Sequence, residues 1–351
     1  MLTGLANEGG FLRTFTEALD VDRRGASGLL GPSKAMAGVR DFILRAANTD
    51  CTVLTTGETG TGKDLVARAL HEESRRANGP LISVNCAAVP DTLLESELFG
   101  YERGAFSGAL TRQDGRWKQA HLGTLFLDEI GDMSPLAQAK VLRAIETREI
   151  LPLGAAKPVA VDIRIVAATN HDLESDDAFL RRDLFYRLNV LRIVLPPLRD
   201  RLEDIQVLVA SFIAQLNEKH RMAIEGVTWS ALSHLHDYDW PGNVRELRNA
   251  IESVYLLRST GKITVDDLKQ MYHFHARAYC TSRSASVGGL DLRASSESSR
   301  LLLALQSTNW NKSKTAEMLH WSRMTVYRKM ARYRLAEPVY EKVQTAAVGT
   351  P

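Results

Sequence analysis

The chain reads as an α/β protein: a parallel-sheet core, a small all-helical region after it, and a helix-turn-helix near its C-terminal end. Three observations carry that reading. From about residue 29 to 197, apolar β-branched runs that end in polar residues alternate with helical patterns, as in a parallel sheet covered on both faces. The alternation stops at Leu195-Pro196-Pro197-Leu198, and the stretch from Leu202 to about Leu257 carries a helical period. Positive charge then gathers between residues 300 and 335, on two helical segments joined by a short turn.

Each element has its own warrant. Residues 1–28 are mixed and too few to form a regulatory domain. After Gly31-Pro32-Ser33, apolar residues at Met36, Val39, Phe42, Ile43 and Ala46 repeat at helical spacing. Cys51–Thr56 is a strand, Gly57–Asp64 a glycine-rich turn, and Leu65–Leu70 begins a helix. Leu81–Asn85 is a second strand. A short helix closes at Glu95–Phe99, and a glycine-rich interruption runs from Gly100 to Gly108. A helix is expected from about Asp114 to His121, then an apolar strand from Gly123 that ends in Asp128 and Glu129. Leu136–Thr147 reads as a helix and Val161–Asn170 as a buried strand. In the helical region the segments are Ile205–Asn217, Trp229–His236 and Val244–Leu257, the last with Asn243 as its expected N-cap. The expected domain limits are 29–197, 198–272, a linker over 273–299, a small domain over 300–335, and a tail over 336–351.

Composition narrows the function classes. With 44% apolar and 25% charged residues over 351 positions, the chain has ordinary globular make-up. Its net charge is only +2, so nucleic-acid binding must rest on a local cluster. No apolar run reaches the ~18 residues of a membrane span, and no secretion signal opens the chain. Cys51, Cys86 and Cys280 are odd in number and widely spaced; they fit a reducing cytoplasm, the first two as small core residues. The nine histidines form no His-Glu-x-x-His pattern.

The chemistry centres on Gly57-Glu58-Thr59-Gly60-Thr61-Gly62-Lys63-Asp64. Strand, glycine-rich turn and helix form the context of a phosphate-binding loop, in which glycines let backbone N–H groups face a polyphosphate and lysine adds a point charge. Asp64 stands where a hydroxyl for Mg2+ is usual. Asp128 suits Mg2+, and Glu129 suits the polarisation of an attacking water. Asn85 and Asn170 also end strands; alone, each reads as a turn residue. Arg181, Arg182 and Arg187 are the candidates for stabilising transition-state charge, although by themselves they read as a solvated basic helix face. Gly104-Ala105-Phe106-Ser107-Gly108-Ala109 surrounds one aromatic and one hydroxyl with small residues, which suits a movable tip. Near the C-terminus, Lys312–Leu319 and Ser322–Tyr333 flank a turn at His320-Trp321. Lys312, Lys314, Ser322, Arg323, Thr325, Tyr327, Arg328 and Lys329 are the candidates for contact with double-stranded DNA.

In this order, Gly57–Asp64, Glu95–Gly100, Gly104–Ala109, Gly123–Ile130, Arg181–Leu188, Leu195–Arg201 and Trp240–Leu247 resemble the motifs of the sigma-54-dependent transcriptional activators, the bacterial enhancer-binding proteins among the AAA+ ATPases. The resemblance runs from about residue 29 to 335. It implies an AAA+ core with a helical lid and a Fis-type DNA-binding domain, hydrolysing ATP with Mg2+. It implies further that an acid at Asp64 is a family trait and that Asp128 and Glu129 are the Walker B pair. Asn85 would be the asparagine that switches its contact with Glu129 according to nucleotide state, Thr169 and Asn170 would be the sensor I region, and Arg245 the sensor II arginine of the lid. Arg181 and Arg187 would act on a neighbouring subunit's nucleotide, hence a ring, typically a hexamer of one or more chain types. Gly104–Ala109 would contact sigma-54 RNA polymerase; Ser107 keeps the hydroxyl of the family's usual threonine, and His320 replaces the usual turn glycine. With no receiver domain expected before residue 29, control would come in trans, from expression level or a partner protein. Two rival classes, a DNA-binding repressor or scaffold with a vestigial AAA+ core and an unfoldase- or helicase-like motor, are disfavoured by the intact catalytic residues and by the loop.

Overall fold

The computed structural model describes residues 28–171, 179–255, 258, 260–269, 301, 304, 305, 308, 311–319, 325, 329 and 330. The chain divides into two compact units, Met1–Ala278 and Tyr279–Pro351. In the first unit the first helix among the described residues is α1 (Lys34–Ala47), whose first turn is capped by the Ser33 hydroxyl accepting from Met36 N. β1 (Val53–Thr56) leads through the glycine-rich loop into α2 (Lys63–Glu72). β2 (Leu81–Asn85) and α3 (Asp91–Phe99) follow.

The helix expected over 114–121 is shorter. Gln113–Asp114 is instead a strand, β4, paired antiparallel to β3 (Gly100–Tyr101), and α4 covers only Arg116–Gln119. A Cβ at Gly115 would meet the Phe99 carbonyl carbon at 2.3 Å, so this close backbone approach needs glycine and breaks the helix early. Then come β5 (Thr124–Asp128), a 3-10 turn (Ile130–Asp132) and α5 (Pro135–Thr147). A small hairpin of β6 (Glu149–Ile150) and β7 (Val159–Ala160) precedes β8 (Arg164–Thr169), α6 (Arg182–Leu188) and β9 (Leu191–Val194).

Five strands form one parallel sheet in the order β2-β5-β8-β1-β9. Its register does the positioning: Asn85 lies opposite Asp128, and Thr56 opposite Thr169, so the polar C-terminal ends stand in one row. One face packs on α1 and α2 through Met36, Ile43, Val66 and Leu70, the other on α3 to α6 through Leu94, Trp117, Val141 and Leu184. Arg164 is fully buried at the start of β8. Its guanidinium donates to Ala46 O (2.8 Å) and Ala47 O (3.2 Å) of α1 and to Leu70 O (3.3 Å) of α2, tying the C-terminal ends of both helices to the sheet, where a cation suits the helix dipoles.

The lid comprises α7 (Asp204–His220), α8 (Trp229–His236) and α9 (Asn243–Tyr255). One feature departs from the all-helical expectation. β10 (Ala223–Val227) and β11 (Thr260–Ile263) form a short parallel ladder, because Arg221 ends α7 in a left-handed turn and the next residues bury Ile224 and Val227 while exposing Glu225. An 8-residue helix such as α8 is too short to stand alone, so packing holds it: Leu232 and Leu235 join Trp240, whose ring N–H donates to Leu235 O at 2.7 Å. Of the cysteines, Cys86 is buried as expected, whereas Cys51 is exposed just before β1.

In the second unit Leu301, Ala304, Leu305, Ala316 and Leu319 cluster, with Met330 against them. α10 (Lys312–Met318) begins after Asn311, whose side chain accepts from Lys314 N. The linker expected over 273–299 and the tail over 336–351 lie outside the described residues.

Candidate functional site

The row of strand ends opens into a crevice beside the glycine-rich loop. Gly62 has φ 104° and hands the chain directly to α2, so the helix N-terminus and the loop N–H groups converge there. Thr61 closes the loop by donating its hydroxyl to Glu58 O at 2.8 Å. Lys63 Nζ donates to Gly57 O at 3.0 Å and pairs with Glu129 Oε1 at 3.3 Å, with the two side chains only 6% and 13% exposed. An ammonium has three donors, so one is left for a ligand. Asp64 is exposed in the first turn of α2, where a carboxylate suits the helix dipole.

Glu129 adopts φ 50° and ψ 50°, a left-handed conformation that costs free energy in a non-glycine residue and turns its side chain toward Lys63. Its other oxygen accepts from Asn170 N at 3.0 Å, and the Asn170 amide donates to Thr59 Oγ1 at 3.1 Å. Asn170 thus bridges the Glu129 carboxylate and the loop. Asn85 lies in the same crevice and donates to Asp128 Oδ2 at 3.4 Å. Its own carbonyl accepts from Ala88 N at 3.0 Å, which fixes the amide in that direction. Burial, and then the neighbouring Glu129 charge, push the Asp128 carboxyl above its usual range against the pull of Lys63. A carboxylate pair short of positive charge, beside a lysine and open N–H groups, is a donor set that fits a divalent cation and a phosphate chain.

The lid is tied to the same loop. Asn243 is fully buried, with φ 52°. Its oxygen accepts from Leu198 N at 2.8 Å, and its nitrogen donates to Glu58 Oε2 and Thr59 O, both at 3.1 Å. The expected N-cap role is therefore corrected: the side chain leaves its own helix to pin the lid onto the phosphate loop, and Glu246 reaches back to Gly242 N at 2.7 Å. Arg199 grips Glu58 through two bonds, 2.9 and 2.6 Å, and holds its carboxyl below the usual range. Arg201, only 2% exposed, donates to Thr61 O at 3.0 Å. Asp204 takes two bonds from Ser33, and Gly31 is required there because a Cβ would sit 2.5 Å from the Asp204 carboxyl carbon. Arg245 reaches the loop through its backbone, its N–H meeting Gly60 O at 3.3 Å, while its side chain stays exposed. Sequence reasoning found Leu195–Arg201 only as a motif; the roles of Arg199, Arg201 and Asn243 require three segments to be seen together.

Arg181 and Arg187 are exposed and are not bonded to Lys63, Asp128 or Glu129 of their own chain. Arg181 pairs with Asp183 at 2.8 Å, and Arg187 has no hydrogen bond or ion pair among the described residues. The Gly104–Ala109 loop stands apart from the crevice's bonding. It closes through Gly104 N to Ala109 O (2.9 Å) and Ala109 N to Phe106 O (3.0 Å); Phe106 is 45% exposed and meets Tyr101 edge-on at 4.9 Å. Ser107 is exposed. A Cβ at Gly154 would come within 3.0 Å of Ala105, so the loop's base leans on the β6–β7 hairpin. In the second unit Lys312 and Lys314 lie on α10, and Thr325 and Lys329 are helical. Ser322, Arg323, Tyr327 and Arg328 lie outside the described residues.

A parallel sheet with a phosphate loop after its β1 strand, carboxylates at the next strand end but one and a lid pinned onto the loop define a P-loop ATPase of the AAA+ class. Residues 29–194 match the Sigma-54 interaction domain, 199–285 the AAA+ ATPase lid domain, and 293–333 the bacterial regulatory proteins of the Fis family. The chain is 44% identical to the transcriptional regulatory protein ZraR of Salmonella typhimurium over 307 residues, which cover 87% of this chain and 68% of that one. It is 40% identical to the DNA-binding transcriptional regulator NtrC of Rhizobium meliloti in an alignment 359 positions long that covers 93% of this chain and 74% of that one. The crystal structure of NtrX from Brucella abortus in complex with ATP superposes with a TM-score of 0.64 at 33% identity, covering 94% of this chain and 74% of that one. The chain belongs to the sigma-54-dependent transcriptional activators. It carries their ATPase core and a Fis-type helix-turn-helix, and among the described residues no helix is long and apolar enough to cross a membrane.

Proposed function

We propose that this activator binds double-stranded DNA upstream of its promoters and uses ATP hydrolysis at subunit interfaces of a hexameric ring to remodel the closed sigma-54 polymerase complex. The observation that carries this is the crevice itself: Lys63, Glu129, Asn170 and Thr59 form one bonded chain around an open helix N-terminus. Residues Gly57–Lys63 receive the phosphates, with Lys63 donating its remaining proton to them. Asp128 would hold Mg2+, which supplies positive charge to the phosphate oxygens when bound. Glu129 orients and deprotonates the attacking water, and Asn170 keeps that carboxylate aimed. Asn85 holds Asp128.

Arg181, once it leaves Asp183, and Arg187 are exposed outside their own crevice and serve a neighbouring subunit, which is why a closed ring follows. Arg245 swings from the lid toward the phosphates. The Gly104–Ala109 loop presents Phe106 and Ser107 to sigma-54, and the residue 300–335 segment holds DNA through Lys312, Lys314, Ser322, Arg323, Thr325, Tyr327, Arg328 and Lys329. The domain limits at 197, 272 and 299 are proposed with these roles, as are a cytoplasmic location and control in trans.

In vitro transcription from a supercoiled sigma-54 promoter tests this reading. Open complexes should form with ATP and be absent without it; ATP-independent transcription would refute it. A chain ending at residue 272 should keep its ATPase activity and lose its gel shift on promoter DNA.

A further inference from the structure

Gln138 of α5 is 2% exposed, and its side-chain amide is fully committed. Nε2 donates to Met133 O at 3.0 Å and to Phe179 O at 2.9 Å, while Oε1 accepts from Arg181 N at 2.8 Å. Two carbonyls and one N–H admit only this orientation of the amide. The partners lie at the two ends of the catalytic machinery. Met133 closes the 3-10 turn that leaves Glu129, with Asp132 N bonded to Glu129 O at 3.1 Å. Arg181 is the residue from which α6 starts. A second tie runs alongside: His171, next to Asn170, stacks on Phe179 at 4.1 Å and bonds Asp132 at 2.7 Å. An apolar side chain would fill the space at position 138; a buried amide with three directed bonds fixes the direction of the segment as well.

We infer that Gln138 is a positioning residue for ATP hydrolysis. It aims the start of α6, and with it Arg181 and Arg187, at the neighbouring subunit's site. This rests on the trans reading of those arginines given above.

The test is a mixing experiment on the full chain. Gln138→Leu alone should bind ATP within about twofold of the unmodified chain, as a site away from the phosphates allows. Its kcat should fall roughly ten- to a hundredfold, as a misaimed group does. Glu129→Gln chains hydrolyse poorly but keep intact arginines. Mixed one to one, the two should recover activity, because about a quarter of ring interfaces then join an intact crevice to intact arginines. Normal turnover by Gln138→Leu overturns the inference. So does failure to recover in the mixture when Arg181→Ala mixed with Glu129→Gln does recover, since Gln138 would then act on its own crevice. If the Arg181→Ala mixture also stays inactive, the trans reading falls and takes this inference with it. Should Gln138→Leu not fold, Gln138→Glu keeps the acceptor for Arg181 N but faces the two carbonyls with a carboxyl; it should show the same recovery in trans, and a defect without recovery overturns the inference equally.

Discussion

The crevice at the strand ends and the Gly104–Ala109 loop are built in opposite ways. In the crevice, bonds run largely between segments: Lys63 pairs with Glu129 as well as with Gly57 O, Glu129 accepts from Asn170, Asn170 donates to Thr59, and Glu58 accepts from Arg199 and Asn243. The loop answers mainly to itself, through bonds between its own ends, and a Cβ on Gly104 or Gly108 would meet nothing within 4 Å. Hydrolysis needs groups held before the charge develops, and an over-determined crevice suits the role proposed for it. A tip with the proposed task of pressing on a partner needs alternatives, which small residues and two left-handed glycines, φ 83° and 115°, allow.

Four substitutions would break or sharpen that contrast. Glu129→Gln has the largest expected effect: phosphate release should fall by about 10²–10⁴, the range of a lost general base, with ATP binding retained in filter or fluorescence assays. Turnover within tenfold would move the base elsewhere. Asn243→Ala removes three bonds that join the lid, the 198–200 turn and the phosphate loop, and leaves buried partners unpaired. Thermal or denaturant unfolding should show a loss of about 2–3 kcal/mol, together with a raised KM for ATP; an unchanged midpoint would mean that the lid is held by its apolar core alone.

Ser107→Ala lies on the other side of the comparison. ATPase activity should stay within about twofold, as for an exposed site, while sigma-54 transcription is lost. A parallel fall in both would show that the loop is coupled to the crevice more rigidly than its bonding suggests. Asp128→Asn should have the smallest effect on stability, and in the opposite direction. A carboxyl whose folded pKa is raised costs stability at pH above that value, and the cost disappears as pH falls through it. At pH 7 the asparagine variant should therefore be slightly more stable than the unmodified apo chain, by less than about 1 kcal/mol given the partial exposure, with the difference shrinking toward acid pH and hydrolysis lost throughout. A lower midpoint at pH 7 would show that Asp128 gains more from Asn85 and the Glu129 N–H than it loses to burial.

Much of the crevice was legible because it is local. Gly57–Asp64 and Asp128-Glu129 are contiguous, and their context of strand, turn and helix is readable from periodicity and glycine placement. The lid ladder was not, because β10 and β11 are separated by two helices and Ala223–Val227 is too short for alternation to outvote its helical neighbours. Asn243 misled for a related reason. Asn before a helical run is the ordinary mark of a cap, and only the docking of the lid shows its amide turned away from its own helix. The strand-end position of Asn85 is readable from sequence, while its bond to Asp128 depends on a register that no strand reveals alone.

The sequence by itself determined the class of chemistry and the order of the parts, since a phosphate loop, a carboxylate strand end, the Gly104–Ala109 loop and a basic helix-turn-helix each act through short runs of residues whose physics is local. Only the tertiary structure decided which polar groups meet. The ties from Asn243, Arg199 and Arg201 to the loop, from Arg164 to two helix ends, and from Gln138 to Arg181 join residues far apart in the chain or on separate elements, and a buried hydrogen bond exists only once packing has brought donor and acceptor together and excluded water.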